Sequence, residues 1–365
     1  MSFKDLKGWT KSLKRPAIIA GPCSVESEDQ LRKSIDPIVG KVDIFRGGIW
    51  KPRTRPGNFE GMGEEALKWI QNAQKDLDIQ FAVEVATPEH VELALKHDLK
   101  ILWIGARTTV NPFNVSELAT SLKGWDGTVM VKNPIHPELS LWKGALERFY
   151  KEGINKLGAI HRGFHSYQKI NFRNAPYWQI PLDLKSELPE LPLICDPSHI
   201  GGDRSMIAPI SQRALDLNYD GLMIETHFDP DHALSDAKQQ VTPNRLIEIL
   251  ANLHARKPEF TNQNYLDQME IIREQIDNAD RELLEALALR MNLVDKIGEI
   301  KKDNNVAIFQ ISRWKEIFKS RTAWGKQLSL DEDFVLDLFR KLHQQSVKQQ
   351  TELYKREENE TLNND

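Results

Sequence analysis

Short apolar runs that stop at polar clusters recur along the first two-thirds of this chain. Pro192-Leu193-Ile194-Cys195 followed by Asp196-Pro197-Ser198-His199 is the sharpest case. It reads as a short, fully buried strand ending before Pro197, with a polar group at its C-terminal end. Such a run fits a parallel strand that opens onto a reaction site, because ligands in these folds sit at strand C-termini. The same rhythm predicts strands at Ala17–Ala20, Val42–Arg46, Phe81–Val85, Ile101–Ile104, Val129–Lys132, Ala159–Arg162, Leu193–Cys195 and Leu222–Glu225. Helix-like stretches such as Glu64–Lys75, Pro88–Lys96, Leu141–Glu152 and Ala208–Leu217 lie between them. Eight β-α units over roughly 240 residues predict an α/β fold, a (β/α)8 barrel. A doubly wound sheet, the alternative, would carry a glycine fingerprint after its first strand. Gly61-Met62-Gly63 follows no strand and reads as a turn, and no P-loop is present. Residues 1–14 read as a short amphipathic leading helix.

Pro243–Lys257, with Leu246, Ile249, Leu250 and Leu253, suits a closing helix. A polar linker follows, and from Leu266 the strand pattern gives way to long helical periodicity. The expected organisation is a barrel over 1–258, a linker at 259–263, a separate all-α, three-helix domain over 264–356 and a frayed acidic tail at 357–365. One stripe of the first long helix runs Arg273, Ile276, Asp280, Leu283, Leu287, Arg290, Val294, Ile297 and Lys301. An apolar seam does not need two arginines and a lysine, although a coiled-coil dimer with polar register-setting residues would use some. At ~1.5 Å per residue, Arg273 and Arg290 are about 25 Å apart, so a shared site requires an antiparallel partner helix and hence a dimer. Ser329-Leu330-Asp331-Glu332 reads as a capping box opening the last helix. Its seam runs Val335, Phe339, Leu342, Ser346, Gln350 and Leu353.

Composition changes little. Lys and Arg number 49 and Asp and Glu 53, a formal charge of −4, which gives no reason to expect nucleic acid. No apolar run approaches the ~20 residues of a membrane span, and Met1–Asp5 opens no signal-peptide core. Two cysteines argue for a reducing compartment, so a cytoplasmic location is expected.

Polar residues cluster where the strands end. Arg46, Lys51, Arg53, Arg107, Lys132 and Arg162 would place six cations at one mouth. Buried cations need partners, and the neighbouring acids, Glu84 and Asp196 among them, are too few. Phosphate esters carrying a carboxylate would balance the charge. Cys23, His199 and Glu225 come from strands one, seven and eight, neighbours in a closed barrel, and Asp236 follows strand eight. That set suits a catalytic divalent metal of the Mn, Co, Fe or Zn class. His227, Asp229, Asp231 and His232 compete for the role, and otherwise read as a solvated loop. Cys195 reads as core. His161 and His165 have an i, i+4 spacing that matters only on a helix, and they lie at a strand end.

Gly21-Pro22-Cys23-Ser24, Lys51-Pro52-Arg53-Thr54, Gly105-Ala106-Arg107, Asp196-Pro197-Ser198-His199 and the Glu225…Asp236 pair resemble the motifs of type I 3-deoxy-D-arabino-heptulosonate-7-phosphate (DAHP) synthases over residues 17–250. The resemblance is to the shorter subfamily shared with the 3-deoxy-octulosonate 8-phosphate (KDO) synthases, the nearest competitor. Lys-Pro-Arg-Thr favours the four-carbon aldose. The resemblance implies condensation of phosphoenolpyruvate with erythrose 4-phosphate. By it Cys23, His199, Glu225 and Asp236 are metal ligands, and Arg107, Lys132 and Arg162 hold phosphoenolpyruvate. Arg46 and Lys51 face that substrate, Asp196 lies among the substrate residues, and Arg53 and Thr54 take the aldose phosphate. Lys51 is the expected proton donor to the new hydroxyl, and Glu84 the group that handles water.

Arg273, Arg290, Lys301, Arg313, Ser346 and Gln350 resemble, in type and spacing, the site positions of the all-helical chorismate mutases. The resemblance implies rearrangement of chorismate to prephenate, with Lys301 and Gln350 stabilising charge on the ether oxygen. Gln310 and Trp314 stand where that family commonly has acids. A non-catalytic dimerisation module that senses prephenate or chorismate for the barrel is therefore a second expectation for the tail.

Overall fold

The structure, a computed structural model, describes residues 3, 6, 8–13, 16–51, 57, 59–167, 170–257, 259 and 262–362. It divides into two compact units, Met1–Pro258 and Glu259–Asp365. In the first unit eight parallel strands close into a barrel in chain order: β1 (Ala17–Gly21), β2 (Ile44–Gly47), β3 (Phe81–Val85), β4 (Ile101–Ile104), β5 (Thr128–Lys132), β6 (Lys156–His161), β7 (Leu193–Cys195) and β8 (Gly221–Glu225). The helices between and after them are α1 (Glu28–Ile35), α2 (Glu64–Leu77), α3 (Pro88–Lys96), α4 (Ala106–Thr109), α5 (Pro112–Ser121), α6 (Leu139–Lys151), α7 (Gln179–Glu187), α8 (Pro197–Gly201), α9 (Ile207–Asp216) and α10 (Pro243–Asn252). Four of them, α3, α5, α8 and α10, open with a polar cap followed by proline: Thr87-Pro88, Asn111-Pro112, Asp196-Pro197 and Thr242-Pro243. The cap side chain satisfies a free N–H, and proline costs nothing at a position whose N–H has no helical partner.

The apolar residues form two layers. A large shell lies between strands and helices. Inside the barrel sits a separate cluster of Ile19, Ile44, Ala82, Ile101, Trp103, Met130, Ile160, Ile194 and Met223. Side chains along a strand alternate faces, so the next inward position lies two residues further on. On six strands that position is charged: Arg46, Glu84, Lys132, Arg162, Asp196 and Glu225. The candidate site is thus the layer of the barrel directly above its apolar plug.

Several boundaries differ from expectation. β2 begins at Ile44 because Asp43 diverts its carboxylate to the ladder, accepting the Ile18 N–H at 2.7 Å. β6 begins earlier, at Lys156, and ends at His161, leaving Arg162 just past it. α10 stops at Asn252, with Leu253 already extended, so the closing helix does not reach Lys257. Of the leading segment, the described residues hold a single turn of 3-10 helix, Trp9–Ser12; Trp9 donates to the Leu157 carbonyl at 3.0 Å and packs against the barrel plug.

The second unit consists of α11 (Gln263–Asp303), α12 (Ile311–Gln327) and α13 (Glu332–Leu362). The cap of α13 is Asp331, whose carboxylate accepts the Phe334 N–H at 2.8 Å; Ser329 stands outside the helix at φ 59°. The capping box read at Ser329 is therefore replaced by a single aspartate cap. Among the described residues, no helix is long and apolar enough to cross a membrane.

Candidate active site

The Asp-Pro-Ser-His run shows how the sequence builds the site. Pro197 opens α8 rather than merely ending β7, and Asp196 caps that helix by accepting the His199 N–H at 3.0 Å. Ser198 Oγ accepts the Glu225 N–H at 3.0 Å, tying β7 to β8. The short helix then leaves the His199 Nε2 3.8 Å from Glu225 and 3.9 Å from Asp236. On β1, Gly21 has a φ of +152°, and a Cβ there would lie 2.0 Å from the Arg46 carbonyl oxygen. Only glycine lets β1 pass that close to β2 and deliver Cys23.

Donor atoms of Cys23, Glu225 and Asp236 lie within 4.8 Å of one another, with Cys23 Sγ 3.7 Å from Asp236 Oδ2. His199 stands beside them. A four-coordinate ion with bonds of about 2.0–2.3 Å places its donors about 3.3–3.8 Å apart, near the 3.7 Å between Cys23 and Asp236 and the 3.8 and 3.9 Å from His199 to Glu225 and Asp236. The protonation states agree. Burial lowers the His199 pKa against the pull of Asp196 and Glu225, toward the neutral ring that a ligand requires. Burial alone would raise Glu225, but His199 and Arg46 hold it well below the ordinary carboxylate range. The Cys23 thiol is pushed up to about 11 by burial and by Glu225, against the pull of Lys51. A divalent cation would reverse that last effect, since a coordinating thiol is deprotonated.

Around this centre the cations are organised by pairs and by one aromatic ring. Arg46 and Glu225, both almost fully buried, form an ion pair at 2.7 Å. Lys132 pairs with Asp196 at 3.0 Å, and Asp196 is held well below its usual pKa by His199 and Lys132 in spite of burial. Lys51 Nζ donates to the Cys23 carbonyl at 2.6 Å and lies 3.1 Å from the thiol. Trp103 presents its face to Arg46 at 4.8 Å and Lys132 at 5.8 Å, and its Nε1 donates to Glu84 at 2.9 Å. Arg162 donates to Asn174 at 2.7 Å; burial, with Arg173 and Arg107 nearby, presses its pKa down to about 10 although Asp196 opposes this. A guanidinium so placed favours an added anion.

A cleft of about 360 Å³ opens over this layer, lined by Lys51, Glu84, Arg107, Lys132, Arg162, His199 and Asp236 among others. Arg46, Asp196 and Glu225 lie beneath it. The expected Arg53 and Thr54 fall outside the described residues. Arg173 and Asn174 also line the cleft and were not singled out in the sequence; His165, weighed there only as half of an i, i+4 pair, lines it too. Gln239 went unnoticed as well: buried, it donates from one amide nitrogen to Glu225 at 2.6 Å and Asp236 at 3.3 Å, while Arg173 donates to Asp236 and to the Gln239 oxygen. These residues sit in loops, where no periodicity marks them; the polar pairs Arg173-Asn174 and Gln239-Gln240 were the available signal. A larger cavity, about 910 Å³, lies at the other end of the barrel beside Trp9, Asp43 and Lys156, away from this chemistry.

His161 is not a ligand. Its Nε2 donates to the Pro176 carbonyl at 2.6 Å, so Nδ1 accepts from Tyr219 at 2.9 Å. Burial drives its pKa from 6.5 to about 3. The unfolded chain therefore binds a proton that the fold refuses, and this residue's contribution to stability is lost as pH falls from about 6.5 toward 3, by up to roughly 4–5 kcal/mol. In urea melts across that range, His161→Asn is expected to show a flatter acid limb than the unaltered chain.

In the helical unit, Arg290 Nη1 donates to Ser346 at 2.9 Å, and Lys301 Nζ donates to the Ile308 carbonyl at 2.6 Å. Gln350 is buried, packed on Gly298, and among the described residues its Oε1 has no partner. Arg290, Ser346 and Gln350 are thus brought together. Arg313 is turned to Glu316 at 2.7 Å, and Arg273 lies exposed on the far part of α11.

Comparison with known proteins agrees with this geometry. The DAHP synthetase I family model matches residues 11–260, and the chorismate mutase type II model matches residues 272–351. A phospho-2-dehydro-3-deoxyheptonate aldolase of Thermotoga maritima is 29% identical over 226 residues, 61% of this chain and 64% of that protein. Its crystal structure superposes with a TM-score of 0.59 at 28% identity, covering 64% of this chain and 67% of the other. A 2-dehydro-3-deoxyphosphooctonate aldolase of Wolinella succinogenes is 26% identical over 272 residues, 65% of this chain and 98% of its own. The tail is 36% identical over 86 residues to a bifunctional chorismate mutase/prephenate dehydratase of Buchnera aphidicola, covering 24% of this chain and 22% of that one. A barrel with its charged layer at the strand ends, continued by three helices, is accounted for by two known modules: the chain belongs to the DAHP synthetase I family and carries a chorismate mutase type II domain after the barrel.

Proposed function

We propose that the chain is a bifunctional enzyme of the shikimate pathway. Its barrel would condense phosphoenolpyruvate with erythrose 4-phosphate to DAHP and phosphate, and its helical unit would rearrange chorismate to prephenate, with the domain boundary in the 259–263 linker. The observation that carries the first activity is the juxtaposition of a Cys-His-Glu-Asp donor set with Lys51, Arg107, Lys132 and Arg162 at one rim. Cys23, His199, Glu225 and Asp236 would hold the divalent metal, of the Mn, Co, Fe or Zn class. When bound it supplies Lewis-acid polarisation of the aldose carbonyl. Lys132, Arg162 and Arg107 would grip the phosphate and carboxylate of phosphoenolpyruvate, and the buried Arg46 keeps Glu225 ionised. Lys51, next to the thiol, would deliver the proton to the new hydroxyl, and Glu84, fixed by Trp103, would orient the water that adds at C2. Arg53 and Thr54 would take the aldose phosphate.

The test is phosphoenolpyruvate consumption with erythrose 4-phosphate or arabinose 5-phosphate, before and after chelation. Turnover with the four-carbon sugar that chelator removes and metal restores is expected. Preference for the five-carbon sugar would make the barrel a KDO 8-phosphate synthase, and turnover indifferent to chelation would remove the metal. Gln239 ties both acids together, and partners that orient ligands are worth about 10–100-fold in metal affinity. Gln239→Leu is expected to weaken Co(II) binding by that factor, read from the thiolate absorption band.

For the helical unit the carrying observation is the Arg290–Ser346 contact beside the unpartnered Gln350 oxygen. Ile276, Leu283, Leu289, Leu293 and Ile300 on α11 are all at least half exposed. A second copy of this helix, antiparallel, would cover them and carry Arg273 to the other site, giving a homodimer. Sedimentation of a monomer with full chorismate turnover would exclude that arrangement. The same cations would also bind prephenate as an effector. Inhibition of the barrel by prephenate, lost on truncation near Thr261, is the corresponding measurement.

A further inference from the structure

The helical unit holds a histidine that the seam pattern passes over. His343 lies on α13 three residues before Ser346 and seven before Gln350, so the three share one face. Its ring leans on Trp314 with centroids 3.7 Å apart and an interplanar angle of 42°, and Phe309 stands 5.8 Å away. Trp314 is itself braced edge-on by Phe318 at 4.0 Å. These aromatic contacts hold the imidazole from one side. From α11, Arg290 and Lys301 act on it, and together with burial they lower its pKa, so the ring is neutral at neutral pH. Arg313, from α12, is committed to Glu316.

Cations fix where the carboxylates of a dianion go, but they leave a neutral hydroxyl on the same ring unread. Reading it needs a neutral group that can donate at one atom and accept at another, which a neutral imidazole does. Gln350 offers an unpartnered acceptor on the same face. We propose that His343, shelved on Trp314, is a specificity residue of the helical site: it contacts the ring hydroxyl of a hydroxylated cyclic dicarboxylate whose carboxylates go to the cations. This rests on the reading of the helical unit given above.

The test uses the full chain with His343→Leu and His343→Asn. Substrates are chorismate and an analogue lacking the ring hydroxyl, each followed by turnover and by titration calorimetry. Phosphoenolpyruvate consumption by the barrel and far-ultraviolet circular dichroism control for folding. The Leu variant is expected to raise KM for chorismate at least tenfold with a smaller change in kcat, and Asn to restore part of the loss. With the deoxy analogue the unaltered chain and the Leu variant should converge, which a merely structural role for the ring would not produce. A KM for chorismate within twofold of the unaltered chain, or an equal loss on both substrates, overturns the inference while leaving the mutase reading intact. An unaltered chain that neither binds nor converts chorismate removes that reading, and this inference with it.

Discussion

Lys51→Met is expected to lower the condensation rate by about 10²–10⁴-fold, the range that a positioned proton donor contributes. Among the described residues Lys51 both lines the cleft and touches the candidate metal centre, donating to the Cys23 carbonyl at 2.6 Å with the thiol 3.1 Å away. Methionine keeps most of the length and removes the ammonium. The same ammonium draws the thiol pKa down, so its loss costs some metal affinity. Assays at saturating metal, with binding followed separately by calorimetry, divide the two effects. A rate within tenfold of the unaltered chain would assign proton delivery to another group.

Arg46→Met is expected to destabilise the metal-free barrel by about 3–5 kcal/mol, the cost of stranding one partner of a buried ion pair. Arg46 and Glu225 are 2.7 Å apart with side chains 2% and 1% exposed, so water cannot take over the neutralisation of Glu225. A metal held by Glu225 can. The loss should therefore shrink markedly when urea unfolding is repeated with saturating Mn(II), and the metal should stabilise the variant more than the unaltered chain. Equal losses with and without the ion would mean that Glu225 does not contact it. If the barrel acts as proposed, the same variant also removes a cation that would face phosphoenolpyruvate, and a raised KM for that substrate is expected alongside.

The barrel and most of its charged layer were readable from the chain because both follow one periodicity. Six of the eight strands carry an inward apolar residue and then, two places on, an inward charge, so strand ends and site residues came from the same pattern. Where that regularity is missing, the reading fell short. Trp103 belongs to the apolar plug by type, yet it holds Arg46, Lys132 and Glu84 in place. Arg173, Asn174 and Gln239 act from loops, where position is set by tertiary packing. Asp331 caps α13 where Ser329 looked suitable, because Ser329 turns out of line at positive φ. In the helical unit the seam located Arg290, Ser346 and Gln350, whereas His343 resembles any other polar residue until its contact with Trp314 is visible.

Six of the ionised groups in the barrel ride on the sheet itself or on the residue just past it, and each is one pleat above hydrocarbon. Their spacing is therefore as stiff as the hydrogen-bonded ladder, and a single-residue insertion in any strand would rotate its charge into the surrounding helices. Evolution is left with the connecting segments as its adjustable parts. Variation there can retune what enters the cleft, while the charged layer beneath it stays locked to the geometry of the staves.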